Sequence, residues 1–203
     1  MSRVPVPTHP RFIESFHPDP ASCQMARRIQ SSYAEVITRM DVQPEFSTQR
    51  AGLCVYYNSN NWAFLHATHQ QGIGKCLKLQ WAEHGRPHDM PLVLQMPGNG
   101  TVHLGVRFAY GYLQFYVSMD GFTWRTFGDA LRDTVLTSTS GTFTMLCAQD
   151  LSGAAFPARF VLRSEQEYRA PETQRGAQGF MLQPFPYVRS RAQAVSLNRQ
   201  FLL

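Results

Sequence analysis

The residues best suited to acid–base chemistry are carboxylates scattered along the middle of the chain. They are Glu35, Asp41, Glu45, Glu83, Asp89, Asp120, Asp129, Asp133 and Asp150. Hydrolysis of a glycosidic bond needs two carboxyl groups facing each other across the sugar, and no spacing here pairs any two of them. We interpret each as a solvated charge, with Asp120 in a hairpin turn and Asp129 and Asp133 in a possible short helix. The sequence therefore predicts no catalytic residue.

Metal and phosphate sites are also not predicted. His66 and His69 are three positions apart on an apparent strand, so their side chains point to opposite faces. The GIGK segment at residues 72–75 lacks the full spacing of a phosphate-binding loop and is better explained as a hairpin loop. No GxSxG motif supports a serine hydrolase. We expect no metal ion and no cofactor.

The four cysteines, at positions 23, 54, 76 and 147, show no CxxC spacing. Cys54, Cys76 and Cys147 lie inside apolar, strand-like runs. We therefore predict buried free thiols that pack as small hydrophobic groups, rather than a disulfide framework or a zinc site.

Aromatic residues indicate a binding surface more strongly than the carboxylates, histidines or cysteines indicate a site. They are dense between Tyr56 and Phe127, and most are expected in the core. Because neighbouring residues of a strand point to opposite faces, Tyr56 and Tyr57 cannot be buried on the same side. Some rings must therefore face a second layer, a partner or a sugar. Tyr57, Trp62 and Trp124 are the candidates for such an outward role.

The elements that position these residues are predicted to be β-strands. Apolar residues alternate with polar ones in residues 33–42, 51–58, 62–69, 75–82, 101–109 and 112–119. Gly111, Asp120-Gly121 and the PGNG cluster at residues 97–100 mark turns. Helix signals are poor, and the best candidate lies around residues 128–136. Many short strands with little helix predict an antiparallel β-sandwich or barrel.

Chain length and net charge limit the expected number of domains, the location and the partners. The 203 residues allow one domain with tails, and no apolar run is long enough for a transmembrane helix or a secretory signal. The default expectation is a cytoplasmic protein with no membrane contact. The net charge of +5 is concentrated in the tail, where six arginines and three glutamates follow Leu162. Because the body is close to neutral, no nucleic-acid partner is expected.

Four segments resemble a known family. They are MARRIQSSYAEVITRMDVQPE, AGLCVYYNSNNWAFLHATH, LQFYVSMDGFTWRTFG and LCAQDLSGAAFPARF, which start at residues 25, 51, 113 and 146. Together they are similar to the C-terminal concanavalin A-like β-sandwich of glycoside hydrolase family 43 β-xylosidases. The resemblance implies a two-sheet jelly roll over residues 25–162. It leaves a proline-rich irregular leader at 1–24 and a weakly ordered tail at 163–203.

The family resemblance also implies that catalysis belongs to a different domain. In that family the catalytic carboxylates belong to an N-terminal five-bladed propeller, which needs about 300 residues that this chain does not contain. The sandwich packs on the propeller and lends an aromatic from a loop to the rim of the active site. In the matching segment STSGTFTMLCAQD, Phe143 occupies the second aromatic position and the first falls near Thr139. Phe143 joins the candidate interface residues.

These expectations lead to three hypotheses. The first is a non-catalytic accessory domain that packs on, and shapes the pocket of, a xylan-oligosaccharide hydrolase, here as an orphan or truncated fragment. Its expected partner is a family 43 propeller, or a second copy through the exposed docking face. The second is a free-standing carbohydrate-binding module for xylo-oligosaccharides. The third is a small glycoside hydrolase with its own carboxylate pair.

Overall fold

The computed structural model describes residues 22–109, 111–132, 141–152, 156–167 and 193–197. Within these ranges every regular element is a strand. The strands are β1 (Ser22–Ile29), β2 (Ala34–Val42), β3 (Gln49–Asn58), β4 (Asn61–Gln70), β5 (Gly74–Glu83), β6 (Arg86–Asp89), β7 (Leu94–Gln95), β8 (Thr101–Ala109), β9 (Tyr112–Ser118), β10 (Arg125–Thr126), β11 (Leu131–Arg132), β12 (Thr142–Asp150), β13 (Ala158–Glu167) and β14 (Gln193–Leu197).

These strands form two antiparallel sheets. In the first sheet the order is β1-β12-β3-β4-β5-β6, and β7 also pairs with β5. In the second the order is β10-β9-β8-β2-β13-β14, and β11 also pairs with β9. The strands β3 to β6, and β8 with β9 and β10, pair in chain order, whereas β12 lies between β1 and β3 and β13 lies beside β2. Closing the fold therefore depends on strand pairs that are distant in the chain, and the partners in the β1–β12 and β2–β13 pairs are more than 100 residues apart.

One hydrophobic core fills the space between the sheets. Leu53, Leu65 and Leu79 contribute from the first sheet, and Val106 and Phe115 from the second. The predicted alternation is confirmed, because the residues at every second position of β2, β5, β8 and β9 point into this core. The antiparallel β-sandwich predicted from the sequence is therefore the observed fold.

The turns occur at the glycine-containing positions predicted from the sequence. Gly111 has a φ of 77° and joins β8 to β9, a backbone conformation that glycine adopts without strain. The PGNG cluster closes a turn in which the Gly100 amide donates to the Pro97 carbonyl at 3.0 Å. The GIGK segment lies at the β4–β5 hairpin, as expected.

The short helix expected around residues 128–136 is wrong for residues 128–132, which the structure describes. Leu131–Arg132 is a strand that pairs with Tyr112 and Leu113 of β9, so sheet pairing overrides the weak local helix preference. Residues 133–140, with Asp133 and Thr139, lie outside the described part of the chain.

The predicted domain limits at 24/25 and 162/163 stay a prediction. Strand β1 begins at Ser22, β13 continues to Glu167, and β14 pairs with β13 through Leu197↔Ala158. Among the described residues no helix is long and apolar enough to cross a membrane.

Candidate functional site

Two of the four candidate residues meet on the outer face of the first sheet, which is the face turned away from the core. The strand register pairs Phe143 of β12 with Tyr56 of β3, and Tyr56 with Trp62 of β4. These three rings, which we call the aromatic row, cross three adjacent strands. Their alignment follows from strand alternation, because all three occupy positions that point away from the core.

Trp62 belongs to a second apolar cluster, against which the other two rings of the aromatic row pack. It is 1% exposed and packs with Phe64, Ala82, Met145, Cys54 and Cys147, whereas Tyr56 and Phe143 are only partly buried against this cluster. A ring this deeply buried cannot stack on a sugar without rearrangement. The accessible part of the aromatic row is therefore formed by Tyr56 and Phe143, which are both partly exposed.

The thiols of Cys54 and Cys76 are not activated. Burial raises the pKa of Cys54 well above its usual value, and the adjacent Cys147 raises it further. Burial also raises the pKa of Cys76. A neutral thiol is a poor nucleophile and a poor metal ligand. The prediction of buried free thiols is confirmed for Cys54, Cys76 and Cys147, and the side chain of Cys23 is outside the described residues.

A polar network continues across the same outer face. Arg50 Nη1 donates to Gln80 Oε1 at 3.0 Å, and Gln80 Nε2 donates to Asp89 Oδ1. His66 stacks on Phe64 with ring centroids 4.7 Å apart, and its Nδ1 lies 3.1 Å from the Phe64 carbonyl. Burial, with Arg50 and Lys78 adding to it, lowers the pKa of His66 to about 3. His66 is therefore a neutral packing residue near pH 7 and not a general acid.

The other two candidates lie elsewhere in the fold. Tyr57 points to the opposite side of β3 and packs, half-buried, against the main core. Trp124 lies on the outer face of the second sheet with Ile37 and Tyr116, and its ring meets the His103 ring edge-on at 6.3 Å. The structure thus brings Trp62 and Phe143 together and separates Tyr57 and Trp124 from them.

One buried ion pair on the outer face of the second sheet was missed by the sequence analysis. Glu35 Oε2 accepts from Arg107 Nε at 2.6 Å, and both side chains are at most 2% exposed. The Arg107 guanidinium also lies over the Tyr116 ring at 5.3 Å. Burial raises the pKa of Glu35, although Arg107 works in the opposite direction. The interpretation of Glu35 as a solvated charge was wrong, because β2 lies inside the sheet and cross-strand neighbours cover it.

Comparison with known proteins decides what kind of domain this is. A family described as "Beta xylosidase C-terminal Concanavalin A-like domain" matches residues 14–162. The chain belongs to this family. The resemblance drawn from the four sequence segments is therefore confirmed.

Individual relatives of this xylosidase-type domain are similar over only part of their length. The chain is 29% identical to a beta-xylosidase of Bacillus subtilis (strain 168) over 147 residues, covering 67% of this chain and 27% of that protein. It is 32% identical over 106 residues to a putative beta-xylosidase of Escherichia coli (strain K12), covering 50% and 20%. The crystal structure of a xylan beta-1,4-xylosidase from Bacillus halodurans C-125 matches with a TM-score of 0.64 and 30% identity, covering 68% and 28%.

The remaining carboxylates of the xylosidase-type domain include two that organise loops. Asp120 Oδ1 accepts from the Ser118 hydroxyl and from the amides of Phe122 and Thr123, and these bonds hold the pKa of Asp120 well below its usual value. This confirms its predicted role in a turn.

At the other loop, Asp150 accepts hydrogen bonds from Ser152 and from the Phe156 amide. Burial alone would raise the pKa of Asp150, but these bonds hold it below its usual value. Within the described ranges no group of three or more His, Cys, Asp or Glu side chains is placed to hold a metal ion.

Proposed function

We propose that this chain is a non-catalytic accessory domain that packs on, and shapes the pocket of, a family 43 hydrolase acting on xylan oligosaccharides. The observation that carries the proposal is the match to the C-terminal domain of β-xylosidases. The chain spans only about a quarter of the B. subtilis relative that it matches. The catalytic propeller of such proteins is the N-terminal partner of this domain, so the chemistry is assigned to that partner.

The chemistry of the described carboxylates supports this assignment. Glu35 is neutralised by Arg107, while Asp120 and Asp150 are engaged by loop amides and hydroxyls. A retaining or inverting glycosidase needs one carboxyl with a raised pKa and a second one facing it across a sugar. Glu35 has the raised pKa, but it is completely buried and inaccessible to a sugar.

We assign the docking contact to the aromatic row. Tyr56 and Phe143 present partly exposed rings that pack against the cluster of the buried Trp62, and the segment before β12 is where the family resemblance places the loop on the pocket rim. Aromatic side chains over a packed apolar base are the usual energetic centre of an interface. The partner is the propeller, and the ligand near the interface is a xylo-oligosaccharide. In the absence of a propeller, the same surface favours self-association.

A fusion protein tests the proposal. The propeller of the B. subtilis relative, truncated before its own C-terminal domain, is joined to this chain and assayed with a nitrophenyl β-xyloside. We expect the fusion to exceed the propeller alone in kcat/KM. Phe143→Ala should remove at least half of that gain, and Phe122→Ala, an exposed ring outside the aromatic row, should not change it. A soluble fusion that performs no better than the propeller alone would contradict the proposal.

A further inference from the structure

The end of the sandwich remote from the aromatic row carries an exposed aromatic ring. Phe46, in the β2–β3 loop, is 52% exposed, and Leu151 beside this loop is 38% exposed. On β4, His69 lies at this end of the sandwich and Trp62 lies at the opposite end. The two are seven positions apart along the strand, which at about 3.3 Å per residue corresponds to roughly 23 Å. A propeller docked on the aromatic row would leave Phe46 accessible.

Hydrogen bonds from Gln49 and Leu151 hold the backbone of the Phe46 loop. Gln49 Oε1 accepts from the amides of Glu45 at 2.8 Å and Phe46 at 3.3 Å, and the Gln49 amide donates to the Phe46 carbonyl at 3.0 Å. The Leu151 amide donates to the Thr48 carbonyl at 3.2 Å. An apolar ring presented to water on a loop this constrained is preorganised for contact, because little conformational entropy is lost when a ligand binds.

An open groove of about 490 Å³ runs beside Phe46. Its other lining residues are polar: Glu45, Ser47, Thr48, His69, Gln71 and Ser152. No lysine or arginine is among the described residues that line it, which disfavours a phosphate or a nucleic acid. Hydroxyl, amide and carboxylate groups around one accessible ring match an uncharged polyol with an apolar face.

We propose that this groove binds a sugar chain, with the Phe46 ring stacked on the face of one sugar unit and the polar side chains bonded to its hydroxyls. The choice of xylan as the sugar rests on the proposed function. In a propeller-bearing protein, this contact would hold the polymer near the active site and raise its local concentration. The site is separate from the aromatic row and from the aromatic residues selected from the sequence.

Affinity electrophoresis of the full chain tests the inference. Native gels are cast with soluble arabinoxylan, with mixed-linkage β-glucan, or without polysaccharide. We expect arabinoxylan to slow the wild-type chain and Phe46→Ala to weaken the binding at least fivefold. Phe122→Ala is the matched control, because Phe122 is 69% exposed but does not line the groove. Gln71→Ala, which alters the polar side of the groove on an exposed turn, should also weaken binding.

Several outcomes would overturn the inference. They are an unretarded wild-type chain, equal retardation of Phe46→Ala and wild type, or loss of retardation in Phe122→Ala as well. Retardation by β-glucan alone would overturn the assignment to xylan. Thermal unfolding confirms that each variant is folded. This test is independent of the fusion experiment, since a chain that binds arabinoxylan through Phe46 but fails to activate a propeller would retain the site and refute the docking role.

Discussion

Acidification should destabilise this protein through the buried histidine His66. His66 is 1% exposed, and its pKa in the folded chain is about 3, compared with about 6.5 in an unfolded chain. Below pH 6.5 the unfolded chain therefore binds a proton that the folded chain does not. The stability contributed by neutral His66 is present above pH 6.5 and is lost as pH falls towards 3, at up to about 1.4 kcal/mol per pH unit.

The lowered pKa of His66 predicts a measurable loss of folding stability at low pH. Between pH 7.5 and pH 5.0 the free energy of unfolding should fall by about 2 kcal/mol because of His66 alone. Glu35 acts with the opposite sign, because its raised pKa makes its contribution greatest below its unfolded value and smaller as pH rises through the folded value. The quantity to compare is therefore the change with pH in wild type and in a variant, rather than the stability at one pH.

Urea unfolding followed by tryptophan fluorescence at several pH values supplies this comparison. His66→Gln should lose about 2 kcal/mol less than wild type between pH 7.5 and pH 5.0. His69→Gln is the control, since this residue is on the same strand but only half-buried. If wild type and His66→Gln lost the same stability over this range, the argument that His66 is buried in its neutral form would be refuted.

Two further substitutions probe the packing of each sheet. Arg107→Met leaves the Glu35 carboxylate buried and unpaired, and should cost about 3–5 kcal/mol in urea unfolding. The double variant with Glu35→Leu should recover most of that loss, and an equal loss in both would argue against the pair. Gly52→Ala brings a Cβ into steric overlap with the Leu65 carbonyl oxygen, so it should cost at least about 2 kcal/mol. Gly98→Ala, which meets nothing within 4 Å, should change stability by less than about 0.5 kcal/mol.

The faces of the strands could be predicted from the sequence, but their partners could not. Period-two alternation places Leu77, Leu79 and Trp81 together, and all three do pack on the core. Alternation does not say which strand lies beside which. Glu35 and Arg107 are 72 residues apart and meet only because β2 pairs with β8. No local pattern encodes that register, so the buried ion pair was missed.

For the candidate site too, the sequence indicates how side chains alternate between faces but not which strands are neighbours. Alternation requires Tyr56 and Tyr57 to point apart, and they do, but it does not identify which of them faces the core. Trp62 and Phe143 become neighbours across Tyr56 only through the long-range pairing of β12 with β3. Phe46 was missed because it lies in a loop without periodicity, where side-chain exposure depends on how Gln49 and Leu151 hold the backbone.

The central claim is that this domain supports hydrolysis without performing it. The most direct test is to incubate the purified full chain with xylobiose and a nitrophenyl β-xyloside and to measure xylose and nitrophenol release. The account predicts no release above a buffer control, and none in the Asp89→Asn and Glu45→Gln variants. Release by the wild-type chain that is abolished by changing a single carboxylate would contradict the account.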